Sequence, residues 1–231
     1  MQLFCFPYAG GTASFFDKLE SCLRAQIKVE RLEYAGHGAR RKEAFYQNFA
    51  ELSGDMYAQV KERWKPEEAY GLFGYSMGSI AVVEVLKRIL LAQEIDPPCH
   101  VFLGAHGPAM KRELREDSQW ESDEWVKKRT IEFGGIPESL VENRAFWRVY
   151  LPQYQADYRL IRRYPFDKMD IACRIPATVF YSETDTPFPE IRRWTQVFQG
   201  SCKFIEYPGT HFFIIDHWPE AAEIVKAELA L

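Results

Sequence analysis

The chain has 231 residues, of which 47% are apolar, 15% aromatic and 27% charged, an ordinary globular composition at a length that suits one domain. Its formal charge of −4 lacks the basic footprint of a nucleic-acid binder, and no apolar run reaches the ~18 residues of a membrane span. Five cysteines, Cys5, Cys22, Cys99, Cys173 and Cys202, include no CxxC pair and no histidine in ligand spacing. That excludes a disulfide framework or zinc site as the working expectation and favours reduced thiols in a cytosol.

In chain order, Leu3 to Phe6 reads as a strand ended by Pro7. No basic n-region and long apolar h-region precede it, so no signal peptide is expected and the expected location is cytoplasmic. Ile27 to Leu32 alternates weakly and leads into the turn-rich Tyr34-Ala35-Gly36-His37-Gly38. Leu72 and Phe73 precede Gly74, after which a helical pattern runs from about Ser79 to Gln93, apolar on most faces as a sheet-covering helix must be. Strand-like runs recur at Val101 to Leu103, Ala177 to Tyr181 and Lys203 to Tyr207, and Glu220 to Leu231 reads as a helix. Strands alternating with helices predict an α/β fold with a mostly parallel central sheet and helices on both faces. Lys111 to Lys168 breaks the rhythm, because it has no strand-like run and is rich in charge and aromatics. The expectation is a single domain over 1–231 with a helical insertion at about 111–168 that forms a lid.

The sharpest chemical signal is Gly74-Tyr75-Ser76-Met77-Gly78, a G-x-S-x-G placed after a strand and before a helix. The strand-to-helix turn is too tight for side chains two residues either side of the serine. Ser76 is then held, exposed, at the carboxyl edge of the sheet as a nucleophile. The Met77 N–H, at the start of the helix, is placed to meet a developing oxyanion. A second such donor is expected from the loop after the first strand, Phe6-Pro7-Tyr8-Ala9-Gly10-Gly11.

A nucleophilic serine needs a base, and five histidines offer themselves: His37, His100, His106, His211 and His217. In this architecture the order is serine, acid, histidine, which sets His37 aside. His211, in Gly209-Thr210-His211-Phe212-Phe213, follows a strand and a Pro-Gly turn and belongs to the same sheet edge as Ser76. His217 stands at a helix start, and His106 precedes any fitting acid, though it is placed to line a pocket. The acid must follow a strand between Ser76 and His211. Asp185 fits, with Glu183 as its local rival.

Together, the loop Phe6 to Gly11, Gly36-His37-Gly38, the Ser76 motif and Gly209 to Phe213 resemble the type II thioesterases of nonribosomal peptide and polyketide synthesis. So do Phe133-Gly134-Gly135-Ile136-Pro137-Glu138, Leu151-Pro152 and Asp157-Tyr158-Arg159. The matches span almost the whole chain in the right order. The resemblance implies an α/β-hydrolase fold with a helical lid, the triad Ser76, Asp185 and His211, and the Met77 N–H as one oxyanion donor. The second donor falls on Ala9 or Tyr8. In the fatty-acid-synthase branch the acid can instead follow the strand after the nucleophile's helix; here that place reads Gly104-Ala105-His106-Gly107, with no carboxylate.

The implied reaction is hydrolysis of an acyl thioester on the 4′-phosphopantetheine arm of an acyl or peptidyl carrier protein, with no cofactor and no metal in the enzyme. Such proteins clear misprimed or stalled acyl groups from a synthetase. Carrier proteins are usually acidic, and residues 127–168 hold nine lysines and arginines against five carboxylates, a candidate docking face. A monomer is expected. The alternatives are a medium-chain fatty acyl thioesterase, a general carboxylesterase, an acyltransferase using the same acyl-serine, and a non-catalytic carrier-protein-binding hydrolase-fold protein.

Overall fold

The computed structural model describes residues 1–109, 120–169, 171 and 173–230. Six parallel strands form one sheet: β1 (Gln2–Phe6), β2 (Lys28–Arg31), β3 (Tyr70–Tyr75), β4 (His100–Gly104), β5 (Ala177–Tyr181) and β6 (Cys202–Glu206). Their spatial order is β2-β1-β3-β4-β5-β6. All five of the strand pairings are parallel. Both faces of the central strands are covered, so β1, β3, β4 and β5 are buried along their whole length. That is why they read as short continuous apolar runs instead of alternating ones.

Successive side chains serve opposite faces. Phe4, Phe6, Leu72, Val101, Leu103 and Val179 pack with helices α2 (Phe49–Arg63) and α3 (Met77–Ala92). Leu3, Cys5, Phe73, Phe102 and Phe180 pack on the other side with α1 (Asp17–Leu23) and the C-terminal helix near Trp218. Between β4 and β5 lie α4 (Asp123–Glu132), the short α5 (Glu138–Val141) and the long α6 (Arg144–Arg163). They contribute Val126, Trp147, Leu151, Tyr154 and Ile161 to the first of these two clusters. These three helices fall within the stretch at about 111–168 where a helical insertion was expected; 110–119 lie outside the described residues. After β5 come α7 (Phe188–Ile191) and, after β6, α8 (Trp218–Leu229). The expected end of that last helix, Leu231, also lies outside the described residues.

Helix α2 buries a stripe of Phe49, Leu52, Met56 and Val60, and its start is fixed by chemistry at the cap. Asn48 Oδ1 accepts from the Glu51 N–H at 2.9 Å, and Glu51 Oε2 accepts from the Gln47 N–H at 2.8 Å. That reciprocal arrangement satisfies donors a helix start leaves open. Among the described residues no helix is long and apolar enough to cross a membrane.

The strand order reverses at β1, since β2 lies on one side of it and β3 on the other. A crevice opens at such a point beyond the carboxyl ends of the strands. In the register Phe6 stands opposite Gly74. The loop that leaves β1 and the turn that leaves β3 are therefore neighbours by topology alone.

Candidate active site

The turn after β3 is strained and pinned. Ser76 has φ 55° and ψ −116°, a backbone state that costs a non-glycine residue about 1–3 kcal/mol. Its N–H donates to Gly104 O at 2.8 Å, and Ser79 Oγ lies 3.0 Å from Gly74 O and 3.1 Å from Gly104 O. The flanking glycines answer to backbone contact. A Cβ on Gly74 would lie 2.2 Å from Gly78 O, and one on Gly78 would lie 2.1 Å from Phe6 O. Met77 is the first residue of α3, so its N–H has no acceptor within the helix.

His211 and Asp185 come to this serine from the ends of β6 and β5. His211 Nε2 is 2.9 Å from Ser76 Oγ, and His211 Nδ1 is 3.0 Å from Asp185 Oδ1. A carboxylate oxygen only accepts, so Nδ1 carries the proton and the Nε2 lone pair faces the serine hydroxyl. Both imidazole and carboxylate are withdrawn from solvent, 5% and 4% exposed. Their loops are stitched together: Ser182 Oγ and Thr184 Oγ1 both donate to Gly209 O, and Tyr75 Oη donates to His211 O at 2.6 Å. Phe133 of the helical segment covers the imidazole, with ring centroids 4.4 Å apart.

The other candidates fall elsewhere. Glu183 is exposed and accepts the Phe188 N–H at 2.9 Å, where α7 begins. His217 precedes α8 and stacks on Tyr207. His100 is buried against Thr178 Oγ1 at 2.9 Å. His106 does line the chamber over Ser76, and its backbone carbonyl accepts from Trp194 Nε1.

That chamber is narrow, with a volume of about 30 Å³, and its walls are mostly apolar. Tyr8, Ala9, Phe133, Tyr154, Tyr158 and Phe212 enclose Ser76 and His211. Burial pushes the Tyr8 and Tyr158 phenols up to about 12, so both stay neutral around neutral pH and bring no anion near the serine. The loop from Pro7 to Gly11 forms one wall. Its Gly11 N–H closes a turn onto Tyr8 O at 2.9 Å, and its Gly10 N–H donates to Asp157 Oδ2 at 2.7 Å. Tyr8 and Ala9 are the loop residues that line the chamber itself.

One arrangement escaped the reading of the sequence. His37, set aside as a base by its position in the chain, meets Asp157 of α6 at 3.0 Å. Both had a signal: they stand in Gly36-His37-Gly38 and Asp157-Tyr158-Arg159, two of the segments that carry the family resemblance. Nothing in the linear order brings them together.

A parallel sheet thus carries a serine on a strained strand-to-helix turn, and a histidine and an aspartate from later strand ends reach it in one hydrogen-bonded chain. Comparison with known proteins supplies the class. The thioesterase domain family model matches residues 1–229, and the chain belongs to that family of thioester hydrolases. It is 26% identical over 233 residues to the medium-chain S-acyl fatty acid synthase thioesterase of Rattus norvegicus, covering 99% of this chain and 86% of that one. It is 25% identical over 234 residues to the gramicidin S biosynthesis protein GrsT of Aneurinibacillus migulanus, covering 100% and 90%. The structure of BorB, the type II thioesterase from the borrelidin biosynthetic cluster, superposes with a TM-score of 0.85 at 25% identity, covering 99% of this chain and 92% of that one.

Proposed function

We propose that this protein is an editing thioesterase that hydrolyses acyl groups from the phosphopantetheine arm of a carrier protein in a nonribosomal peptide or polyketide synthetase. The observation that carries it is the unbroken Asp185–His211–Ser76 chain of 3.0 and 2.9 Å contacts opening on an aromatic chamber. Ser76 Oγ attacks the thioester carbonyl while His211 Nε2 takes its proton. The oxyanion is held by the Met77 N–H and by the N–H of Ala9 or Tyr8. The carbon–sulfur bond breaks, and the pantetheine thiol leaves with the proton from His211. Water, deprotonated by the same nitrogen, then hydrolyses the acyl-serine and restores Ser76. Asp185 holds the imidazole in the tautomer this requires and stabilises the imidazolium.

The whole chain acts as one α/β-hydrolase domain, with helices α4, α5 and α6 as lid. Docking of an acidic carrier protein falls to the exposed Lys128, Arg144, Arg148 and Arg163. Arg129 and Arg162 instead lie over the rings of Phe133 and Trp120, at 4.4 and 5.0 Å.

The test compares release from an acetyl-phosphopantetheinyl peptidyl carrier protein with turnover of acetyl-coenzyme A and of a simple oxygen ester, with Ser76→Ala as control. Ser76-dependent release that is fastest from the carrier protein, and that falls for the Arg144→Glu/Arg148→Glu protein only on that substrate, is the expected result. Ester hydrolysis without release from the carrier protein would indicate a general esterase. No turnover of any substrate would indicate a binding protein.

A further inference from the structure

The molecule holds a second buried histidine–carboxylate pair, away from Ser76 and unused by the chemistry above. His37 and Asp157 are 1% and 2% exposed. His37 Nδ1 lies 3.0 Å from Ala35 O, and a carbonyl only accepts, so that nitrogen carries a hydrogen. His37 Nε2 lies 3.0 Å from Asp157 Oδ2, which already accepts the Gly10 N–H at 2.7 Å. With an acceptor facing each ring nitrogen, the pair holds one proton more than a neutral imidazole beside a carboxylate. Burial alone would depress the His37 pKa, but the charge and hydrogen bond of Asp157, helped by Ala35 O and by the charge of Glu33, raise it above 6.5.

Burying such a pair is poor economy for stability, since two packed apolar side chains of the same volume would commonly serve as well or better. Its position suggests another use. Asp157 grips the loop that leaves β1, and the same helix presses on that loop once more. Gly10 has φ +74°, and a Cβ there would lie 2.2 Å from the Tyr154 ring. From the other side Tyr34 Oη, three residues before His37, donates to Pro7 O at 2.9 Å. The loop bearing Tyr8 and Ala9 is thus fixed at Pro7 from the segment after β2 and at Gly10 from α6.

We propose that Asp157 and His37 are positioning residues that hold the Gly10 amide against α6 and thereby aim the neighbouring Ala9 and Tyr8 N–H groups at the oxyanion. His37 acts through Asp157, fixing the carboxylate's orientation and countering its charge. The second oxyanion donor is therefore in place only while α6 is seated, so the helical segment that roofs the chamber also completes it. This inference rests on the serine-hydrolase reading above.

The experiment uses the full chain with Asp157→Ala, Asp157→Asn and His37→Gln, each checked for folding by circular dichroism. Turnover is measured on acetyl-coenzyme A, together with the affinity of a small alkylboronic acid, whose tetrahedral serine adduct places an anionic oxygen where the oxyanion forms. Removing one oxyanion donor outright costs about 10²–10³ in kcat; releasing the loop that aims it should cost about 10–100-fold in kcat with KM held within about twofold. Boronate affinity should fall by a similar factor. Asn, which keeps an oxygen for the Gly10 N–H, should retain more activity than Ala, and if Ala does not fold the Asn and Gln variants decide. Folded variants with wild-type kcat and boronate affinity, or losses confined to KM, would overturn the inference. If Ser76→Ala itself keeps wild-type turnover, the underlying serine mechanism fails instead, and the two failures are distinct.

Discussion

Gly78→Ala adds one methyl group at the point where α3 meets β1, and its cost can be worked from the contact it makes. The new Cβ would lie 2.1 Å from Phe6 O and 2.8 Å from Pro7 O, both backbone atoms, where real contacts stay above 3.0 Å. No rotamer relieves this, so α3 and the end of β1 must separate by about 1 Å. Overpacking of that kind costs about 1–3 kcal/mol in stability. The two elements forced apart carry the two proposed oxyanion donors, Met77 on one side and the loop after Phe6 on the other. A displacement of about 1 Å at a reacting geometry costs about 10²-fold in rate. The control is Gly54→Ala, also on a helix: there the nearest atom to a Cβ is Arg88 Cζ at 3.7 Å. Relief of glycine's backbone entropy should make that variant more stable, by about 0.5–1 kcal/mol. Urea unfolding and kcat on acetyl-coenzyme A measure both effects. A Gly78→Ala protein with wild-type stability and kcat would refute the argument, and so would a Gly54→Ala protein destabilised as much as Gly78→Ala.

Other consequences follow from single residues. Asp185→Asn offers an amide where His211 Nδ1 needs an acceptor, so kcat should fall by about 10⁴ with KM little changed; a loss below tenfold would remove Asp185 from its role. Ser76→Gly abolishes acyl release but relieves the φ of 55°, so its unfolding free energy should rise by about 1 kcal/mol; a decrease would show that the turn is unstrained. Burial lowers the His100 pKa from 6.5 to about 4, against the opposing charge of Glu228 and with that of Lys203. Between those values the unfolded chain takes up a proton that the folded protein refuses, so stability falls as pH drops through that window. The loss is on the order of 3 kcal/mol by pH 4. His100→Gln should flatten that limb of the stability–pH curve, and an unchanged limb in the variant would exclude His100 as its source.

Much of the architecture was legible because its causes are local in the chain. Buried parallel strands must be short apolar runs, and the runs at Leu3 to Phe6, Val101 to Leu103 and Ala177 to Tyr181 became β1, β4 and β5. The turn at Ser76 was legible in part from the motif itself, where Gly74 answers to Gly78 O, whereas Gly78 answers to Phe6 O of the distant β1. Helix α2 stood outside that reading, although its stripe of Phe49, Leu52, Met56 and Val60 and its Asn48 cap are local as well. Between Asp185 and His211 the chain forms α7 over Phe188–Ile191 and continues as a 3-10 helix over Arg192–Gln196.

The chain by itself determined the alternation of strands and helices behind a parallel sheet and the tight strand-to-helix turn that holds Ser76, because each depends on spacing within one strand, turn or helix. Only the tertiary structure decided what each side chain faces. It turned Glu183 toward the start of α7 and gave Asp185 to His211. It laid Arg129 and Arg162 on aromatic rings within a stretch that reads as net basic. It brought Asp157 across 120 residues to His37 and across 147 to Gly10. Such pairings are set by how the loop after β1, the loop after β2 and helix α6 converge in space, and no periodicity along the chain records that convergence.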